Sequence, residues 1–156
     1  MKKNKLLIII PILLLIFVTG CSTNKKEKKL ECSLNVENEN ENYKISLERV
    51  AYYDKNKNVT RTVSNDIVES TDYNTLDTYE KQFNSVKNMY KGIKYYDVTV
   101  SQNGNKVEAV TKVDYTKVDT NALIKVTNNN NFFEKDGTLK LSTLKKSYED
   151  SGLTCK

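Results

Sequence analysis

The chain has 156 residues, of which 38% are hydrophobic, and it carries a formal net charge of +5. The excess of positive charge lies at the N-terminus, because residues 31–156 contain 18 lysines and arginines against 19 aspartates and glutamates. A near-neutral domain lacks the basic face that nucleic-acid binding requires, so no nucleic acid is expected as a partner. The chain has no histidine, which argues against zinc and against histidine-based catalysis, and no cofactor is expected.

Residues 1–20 have the organisation of a secretory signal peptide. Three lysines among the first five residues are followed by thirteen largely branched apolar residues at 6–18 and then by two small residues. The stretch VTGC, which ends at Cys21, resembles a bacterial lipobox, and this resemblance implies a lipid on the Cys21 thiol and cleavage before it. The alternative is an uncleaved anchor, but the apolar run contains Pro11 and is shorter than the roughly 20 residues of a membrane-spanning helix. We predict a lipoprotein on the extracytoplasmic face of a bacterial cell membrane.

Residues 21–30 are polar and charged, and they are predicted to be a flexible tether. Two acyl chains anchor a protein stably, whereas one chain binds only marginally. Four lysines of this segment would then lie beside an anionic lipid surface and be attracted to it. A solvated spacer with no lipid contact is the other interpretation.

Two cysteines remain after lipidation, Cys32 near the start of the domain and Cys155 near its end. An even number of cysteines in an exported domain is typical of a disulfide. We therefore predict a bond between them, which would hold both ends of the domain together. The alternative is two unpaired thiols on edge strands.

Three strands are predicted in the first part of the domain. The first begins at residues 34–36 and is followed by a polar loop, ENENEN, at 37–42. The second alternates apolar and polar residues from Tyr43, and the alternation shifts by one residue at Arg49-Val50, which predicts a bulge. After a second loop, the third strand is expected to place three apolar residues on one face: Val59, Val63 and Ile67.

The next segment has the period of a helix. Apolar residues recur every three or four positions from 76 to 90, which predicts an amphipathic helix over about residues 75–91. Asn74 or Thr75 is expected to cap its start, and Gly92 is expected to end it.

A hairpin and two short helices are predicted in the remainder of the chain. The dipeptide NG at 103–104 is typical of a type I′ turn, which would pair Val100 with Val107. Short helices are predicted near 120–126 and 142–151. The order β-β-β-α-β-β-α-α predicts an α+β fold in one domain, an antiparallel sheet of about five strands with one main helix and short C-terminal helices packed on it. This single domain is expected to span residues 31–156.

The stretches TKVDYTKVDTNAL and YEKQFNSVKNMYKGIKYYDVTV resemble the YehR-like family of small bacterial lipoproteins, also called DUF1307. The resemblance covers roughly residues 70–125 together with the lipobox, and it rests on pattern rather than on a chemical motif. It implies an exported lipoprotein with an α+β domain. The family has no settled activity, so no catalytic residue is carried over. The ENENEN loop and the asparagine run at 128–131 depart from the family.

Three features of the sequence are candidates for functional sites. Ser142 and Lys145 match the S-x-x-K motif of serine acyl-enzymes, but the companion motifs are absent and Ser142 is better explained as a helix N-cap. The ENENEN loop could offer oxygens to calcium, but it lacks the frame of a dedicated calcium loop and is interpreted as solvated. The tyrosine pairs at 52–53 and 95–96 are compatible either with an exposed binding patch or with ordinary sheet packing.

No feature of the sequence selects a catalytic residue or a metal ligand. A membrane-anchored binding or accessory module at the cell envelope is therefore predicted, with an envelope protein or ligand as its partner. The alternative is a small envelope hydrolase that uses Asp and Glu carboxylates. A pocket lined by buried carboxylates would favour the hydrolase, whereas outward-facing tyrosines would favour binding.

Overall fold

The computed structural model describes residues 27–39 and 42–156. The predicted signal peptide and Cys21 lie outside the described residues. Within the described part of the chain, no helix is both long enough and apolar enough to cross a membrane.

Six antiparallel strands form one sheet in the order β4-β5-β3-β2-β1-β6. Their bounds are Lys28–Asn38 for β1, Tyr43–Tyr53 for β2, Val59–Ser70 for β3, Tyr96–Asn103 for β4, Lys106–Asp114 for β5 and Thr154–Cys155 for β6. The predicted α+β class with an antiparallel sheet is confirmed. The sixth strand is only two residues long, which is too short for an alternation pattern to reveal.

Three α-helices accompany the sheet: α1 (Tyr73–Met89), α2 (Thr120–Thr127) and α3 (Leu141–Asp150). Helix α1 starts earlier than predicted, because the carboxylate of Asp72 accepts hydrogen bonds from the backbone N–H groups of Asn74 and Thr75. The N-cap of α3 is Lys140, which makes no side-chain cap hydrogen bond. The predicted capping role of Ser142 is therefore wrong, since this residue lies inside the helix.

The helices cover one face of the sheet, which we call the helix face. Helix α1 contacts β3, β4 and β5, and the residues buried in this half are Leu76, Val68 and Val107. The segment from residue 115 to the C-terminus covers the other half, where Leu139 and Leu144 pack with Ala51 and Val59, and Leu123 packs with Val113 and Val118. The opposite, open face carries the alternate strand residues.

The predicted bulge at Arg49-Val50 is wrong. The pairing of β2 with β1 and with β3 runs unbroken through these residues. Arg49 instead faces the helix side, where its guanidinium forms an ion pair with Asp66 and the two side chains are 16% and 24% exposed. The apparent shift in the pattern arose because a charged residue occupies an inward position of a regular strand.

The only irregularity between β2 and β3 within the described residues lies at Tyr52/Tyr53, where Tyr52 pairs with Arg61 and Tyr53 pairs with Val59. Because β3 has one extra residue at this point, the side chains before it face the opposite side of the sheet from the one that simple alternation predicts. Val59 therefore belongs to the buried cluster of the helix face. The prediction that it shares a face with Val63 and Ile67 is wrong for this reason.

The β4–β5 hairpin turns one residue later than predicted. Asn103 pairs with Lys106, so the two loop residues are Gly104 and Asn105. Of these two, only Gly104 has positive φ, at 59°, as in a type II′ turn with glycine at its first central position. Val100 therefore pairs with Ala109 rather than with Val107. Because the register moved by two residues, the same side chains still face the helices.

The two ends of the domain meet at one edge of the sheet. Cys32 and Cys155 are directly opposite each other on β1 and β6, and they form a disulfide with their Cα atoms 4.0 Å apart. Strand β1 begins at Lys28, so the last three residues of the predicted tether are part of the sheet. They belong to the sheet because Leu30 packs against the cluster that contains Ala51. The sequence does not reveal this contact, because it shows only a single leucine after several lysines.

Candidate binding site

A pocket of about 250 Å³, which we call the aromatic pocket, lies where the end of α1 and the beginning of β4 meet the segment that follows β5. Its lining contains no Asp, Glu, Lys or Arg. The lining residues are Tyr90, Tyr96, Tyr115, Leu123, Thr127, Asn129, Phe132 and Phe133.

The rings of this pocket are brought together by chain reversals. Tyr90 follows α1 and Tyr96 begins β4, and their rings are stacked with centroids 4.2 Å apart and planes 12° apart. Gly92, with φ of 91°, makes the reversal between them, which a residue with a side chain would adopt only with strain. On the other side, the ring of Tyr115 lies 6.2 Å from that of Phe133.

Two phenols of the pocket, those of Tyr96 and Tyr115, have raised pKa values. Burial raises the pKa of Tyr96, and the neighbouring Tyr90 raises it further. Burial also raises the pKa of Tyr115, although a hydrogen bond with Thr62 opposes this effect. At physiological pH these groups act as uncharged hydrogen-bond donors and acceptors. The pocket therefore offers flat apolar walls with neutral polar tips.

The tyrosine pairs behave differently from each other. In the pair at 95–96, Tyr96 enters the pocket while Tyr95 is 49% exposed. In the pair at 52–53, both rings are partly buried. The guanidinium of Arg61 lies 3.5 Å from the ring centroid of Tyr52, and the amine of Lys57 lies 4.7 Å from that of Tyr53. Tyr96 therefore lines the pocket, whereas Tyr52 and Tyr53 lie close to cationic side chains.

The carboxylates with shifted pKa values occupy turns and helix starts. The pKa of each is lowered mainly by hydrogen bonds from nearby hydroxyl or backbone N–H groups. A lowered pKa stabilises the ionised form, whereas a general acid needs the opposite shift. These side chains therefore hold local backbone geometry. They are Asp54, Asp72, Asp114 and Asp136.

The other sequence motifs are also placed by the structure. Ser142 is exposed, and Lys145 forms an ion pair of 3.5 Å with Glu149, so the lysine of the S-x-x-K match has a carboxylate partner one turn away. Glu37 and Glu39, of the ENENEN loop, border an open depression of about 310 Å³. Among residues 27–39 and 42–156, no group of three or more Cys, Asp or Glu side chains is arranged to hold a metal ion.

The sequence interpretation missed the aromatic pocket as a unit. Its residues come from four separate segments, so no single stretch of the sequence carries a signal for it. Of the three predicted site cysteines, Cys32 and Cys155 are joined to each other, and Cys21 lies outside the described residues.

No protein-family model and no curated protein matches the sequence. Among solved structures, the NMR structure of the E. coli YehR protein is similar, with a TM-score of 0.53 and 15% sequence identity over 83% of this chain and 92% of that chain. The NMR structure of a protein from Streptococcus pneumoniae TIGR4 is matched with a TM-score of 0.49 and 11% identity, over 100% of this chain and 97% of that chain. The likeness to YehR shows a shared fold.

Proposed function

We propose that this protein is a lipid-anchored envelope lipoprotein of the YehR-like (DUF1307) family and that its domain is a binding or accessory module. Two lines of support are independent of each other. The lipobox that ends at Cys21 supports export and lipidation, and the fold shared with YehR supports the family. The mature chain is then held at the outer face of the bacterial cell membrane.

The aromatic pocket is the observation that carries the binding role. Ligand sites are concave, mostly apolar and supplied with a few polar groups that fix orientation. The pocket has three tyrosines, two phenylalanines and the polar side chains of Thr127 and Asn129. Its volume of about 250 Å³ fits a group of the size of one aromatic or branched aliphatic side chain. We infer that the ligand presents an uncharged, flat or branched apolar group with at least one hydrogen-bonding atom.

The test is to fill the pocket from its rim. Thr127 is exposed and lines the pocket, and its hydroxyl donates a hydrogen bond to the carbonyl of Leu123 in the preceding turn. Thr127→Trp should place a large ring in the cavity while the helix is kept. The matched control is Thr78→Trp, because Thr78 is also exposed on a helix and donates a hydrogen bond to the carbonyl of Asn74.

The readout is an NMR titration with p-cresol, which has one flat ring and one hydroxyl. We expect amide shifts around the aromatic pocket in the wild-type chain and in Thr78→Trp, and their loss in Thr127→Trp. Equal shifts in the two variants would contradict a role for this pocket. Turnover of an envelope glycan or peptide that is abolished by changing one carboxylate would instead support the hydrolase alternative.

The anchoring part of the proposal has its own measurement. Mass spectrometry of the N-terminal peptide of the mature protein should find a diacyl modification on Cys21. An unmodified Cys21, or a mature chain that keeps residues 1–20, would contradict the lipoprotein assignment without affecting the pocket.

A further inference from the structure

One end of the sheet is close to the point where the chain would leave the membrane. Strand β1 begins there, at Lys28, and the loops at 54–58, 91–95 and 115–119 lie at the same end because their strands are antiparallel. We call residues 27–29 together with these three loops the proximal surface. Five residues lie between Cys21 and Glu27, and the six Cα–Cα steps from Cys21 to Glu27 span at most about 22 Å of extended chain.

The two ends of the sheet differ in charge. The proximal surface contains seven lysines, all of them exposed, and three acidic residues, and the adjoining strand ends add Asp97 and Asp114, the second of which pairs with Lys117. The opposite end, formed by residues 37–39, 42–44, 69–72 and 103–106, contains four acidic residues and two lysines. The lysines of the proximal surface are Lys28, Lys29, Lys55, Lys57, Lys91, Lys94 and Lys117.

Tyrosines accompany these cations. The three cation–π contacts found in the described part of the chain involve residues at this end: Arg61 over Tyr52, Lys57 over Tyr53 and Lys117 over Tyr95. The amine of Lys117 lies 5.5 Å from the ring centroid of Tyr95, and that ring is 49% exposed. Tyrosine and lysine both have an apolar body and a polar tip, and both are favoured at the boundary between lipid and water.

We propose that the proximal surface docks on an anionic lipid bilayer and that the acidic end of the domain points away from the membrane. The proposal rests on the lipid anchor of the proposed function, which would hold this end within reach of the headgroups. Basic residues beside an anionic leaflet are attracted to it, and the acidic end is repelled. The domain would thus take one orientation on the membrane.

The absence of tryptophan from the sequence makes a direct test available. Tyr95→Trp places one indole on the proximal surface, and Tyr73→Trp is the matched control, because Tyr73 is 69% exposed and begins α1 at the acidic end of the sheet. Each full-length, lipidated variant is reconstituted in phosphatidylcholine vesicles with or without phosphatidylglycerol, and all vesicles contain brominated phosphatidylcholine as the quencher. Flotation with the vesicles measures anchoring, and indole emission measures contact with lipid.

In vesicles with phosphatidylglycerol, we expect loss of emission from the indole at position 95 and no loss at position 73. Raising the salt to about 1 M should restore the emission, because the Debye length then falls to about 3 Å. In the Tyr95→Trp background, Lys55→Glu with Lys94→Glu should have the same effect as salt. The control pair at the acidic end, Lys44→Glu with Lys106→Glu, should leave the quenching unchanged.

The outcomes separate this proposal from the proposed function. A chain that does not float with the vesicles overturns the anchor, and the docking proposal fails with it. A chain that floats but shows equal emission at positions 95 and 73 overturns docking alone. Equal quenching at position 95 in the presence and absence of phosphatidylglycerol overturns the role of anionic lipid. Shielding at position 95 that requires added envelope protein would identify a protein as the occupant and overturn docking on lipid.

Discussion

Reduction of the Cys32–Cys155 disulfide is expected to lower the free energy of unfolding by about 5 kcal/mol, because the bond closes a loop with a sequence separation of 123 residues. This figure follows from the entropy that the unfolded chain gains when the loop is opened. A domain of ordinary stability has only about 5–15 kcal/mol in total. The reduced domain should therefore be marginally stable, and its melting temperature should fall by about 15 °C.

The assay is urea unfolding of one preparation with and without reductant, followed by circular dichroism. No substitution is needed, so both samples have the same side chains around the buried Cys32. The slope of the free energy against urea should also rise on reduction, because an unfolded chain without the cross-link exposes more surface. A loss of less than about 1 kcal/mol would refute the loop-entropy reasoning and would mean that the unfolded chain stays compact without the bond.

Two further predictions concern side chains whose roles the structure defines. Replacing Arg49 by methionine leaves the 24%-exposed Asp66 without its cation, so the free energy of unfolding should fall by about 2 kcal/mol. Adding Asp66→Leu should recover most of this loss. If urea unfolding shows no recovery in the double variant, the pairing is contradicted. Hydrogen bonds from the Thr75 hydroxyl and from the backbone N–H groups of Asn74 and Thr75 lower the pKa of Asp72 below its ordinary value of 3.8. The stability that these bonds contribute is complete above pH 3.8, and it is lost as the pH falls through the lowered pKa. Asp72→Asn, which can still cap the helix, should therefore reduce the fall of the urea midpoint between neutral pH and pH about 3; an unchanged fall would contradict this.

The sequence predicted the elements whose geometry depends only on residues that are close together in the chain. The spacing of apolar residues from Leu76 onward placed α1 within two residues of its bounds at each end, because a helix repeats every 3.6 residues whatever it packs against. The turn signal at residues 103–104 placed the β4–β5 hairpin, and a turn error of one residue left the faces of its strands unchanged. The disulfide partners needed no geometry, since only two cysteines remained once Cys21 was assigned to lipid.

The errors have a common physical cause, which is a contact between residues far apart in the sequence. In the sequence, Arg49 resembles a break in the alternation of β2, because its partner, Asp66, lies 17 residues away on the next strand. The aromatic pocket depends on how the end of α1 meets the segment after β5, and neither segment alone carries a signal for a cavity. Residues 28–30 were assigned to the tether because the packing of Leu30 against the core cluster depends on residues more than 100 positions later, such as Leu139 and Leu144.

The cross-strand disulfide also determines how the domain responds to mechanical force. A pull on the N-terminal segment acts first on β1, which is paired over its full length with β2. Unravelling from Lys28 can proceed through only four residues before the load reaches Cys32 and passes through the covalent bond to Cys155. Under the proposed lipid anchor, a transient pull from the membrane would therefore unravel at most the first four residues of β1 before the covalent bond carried the load.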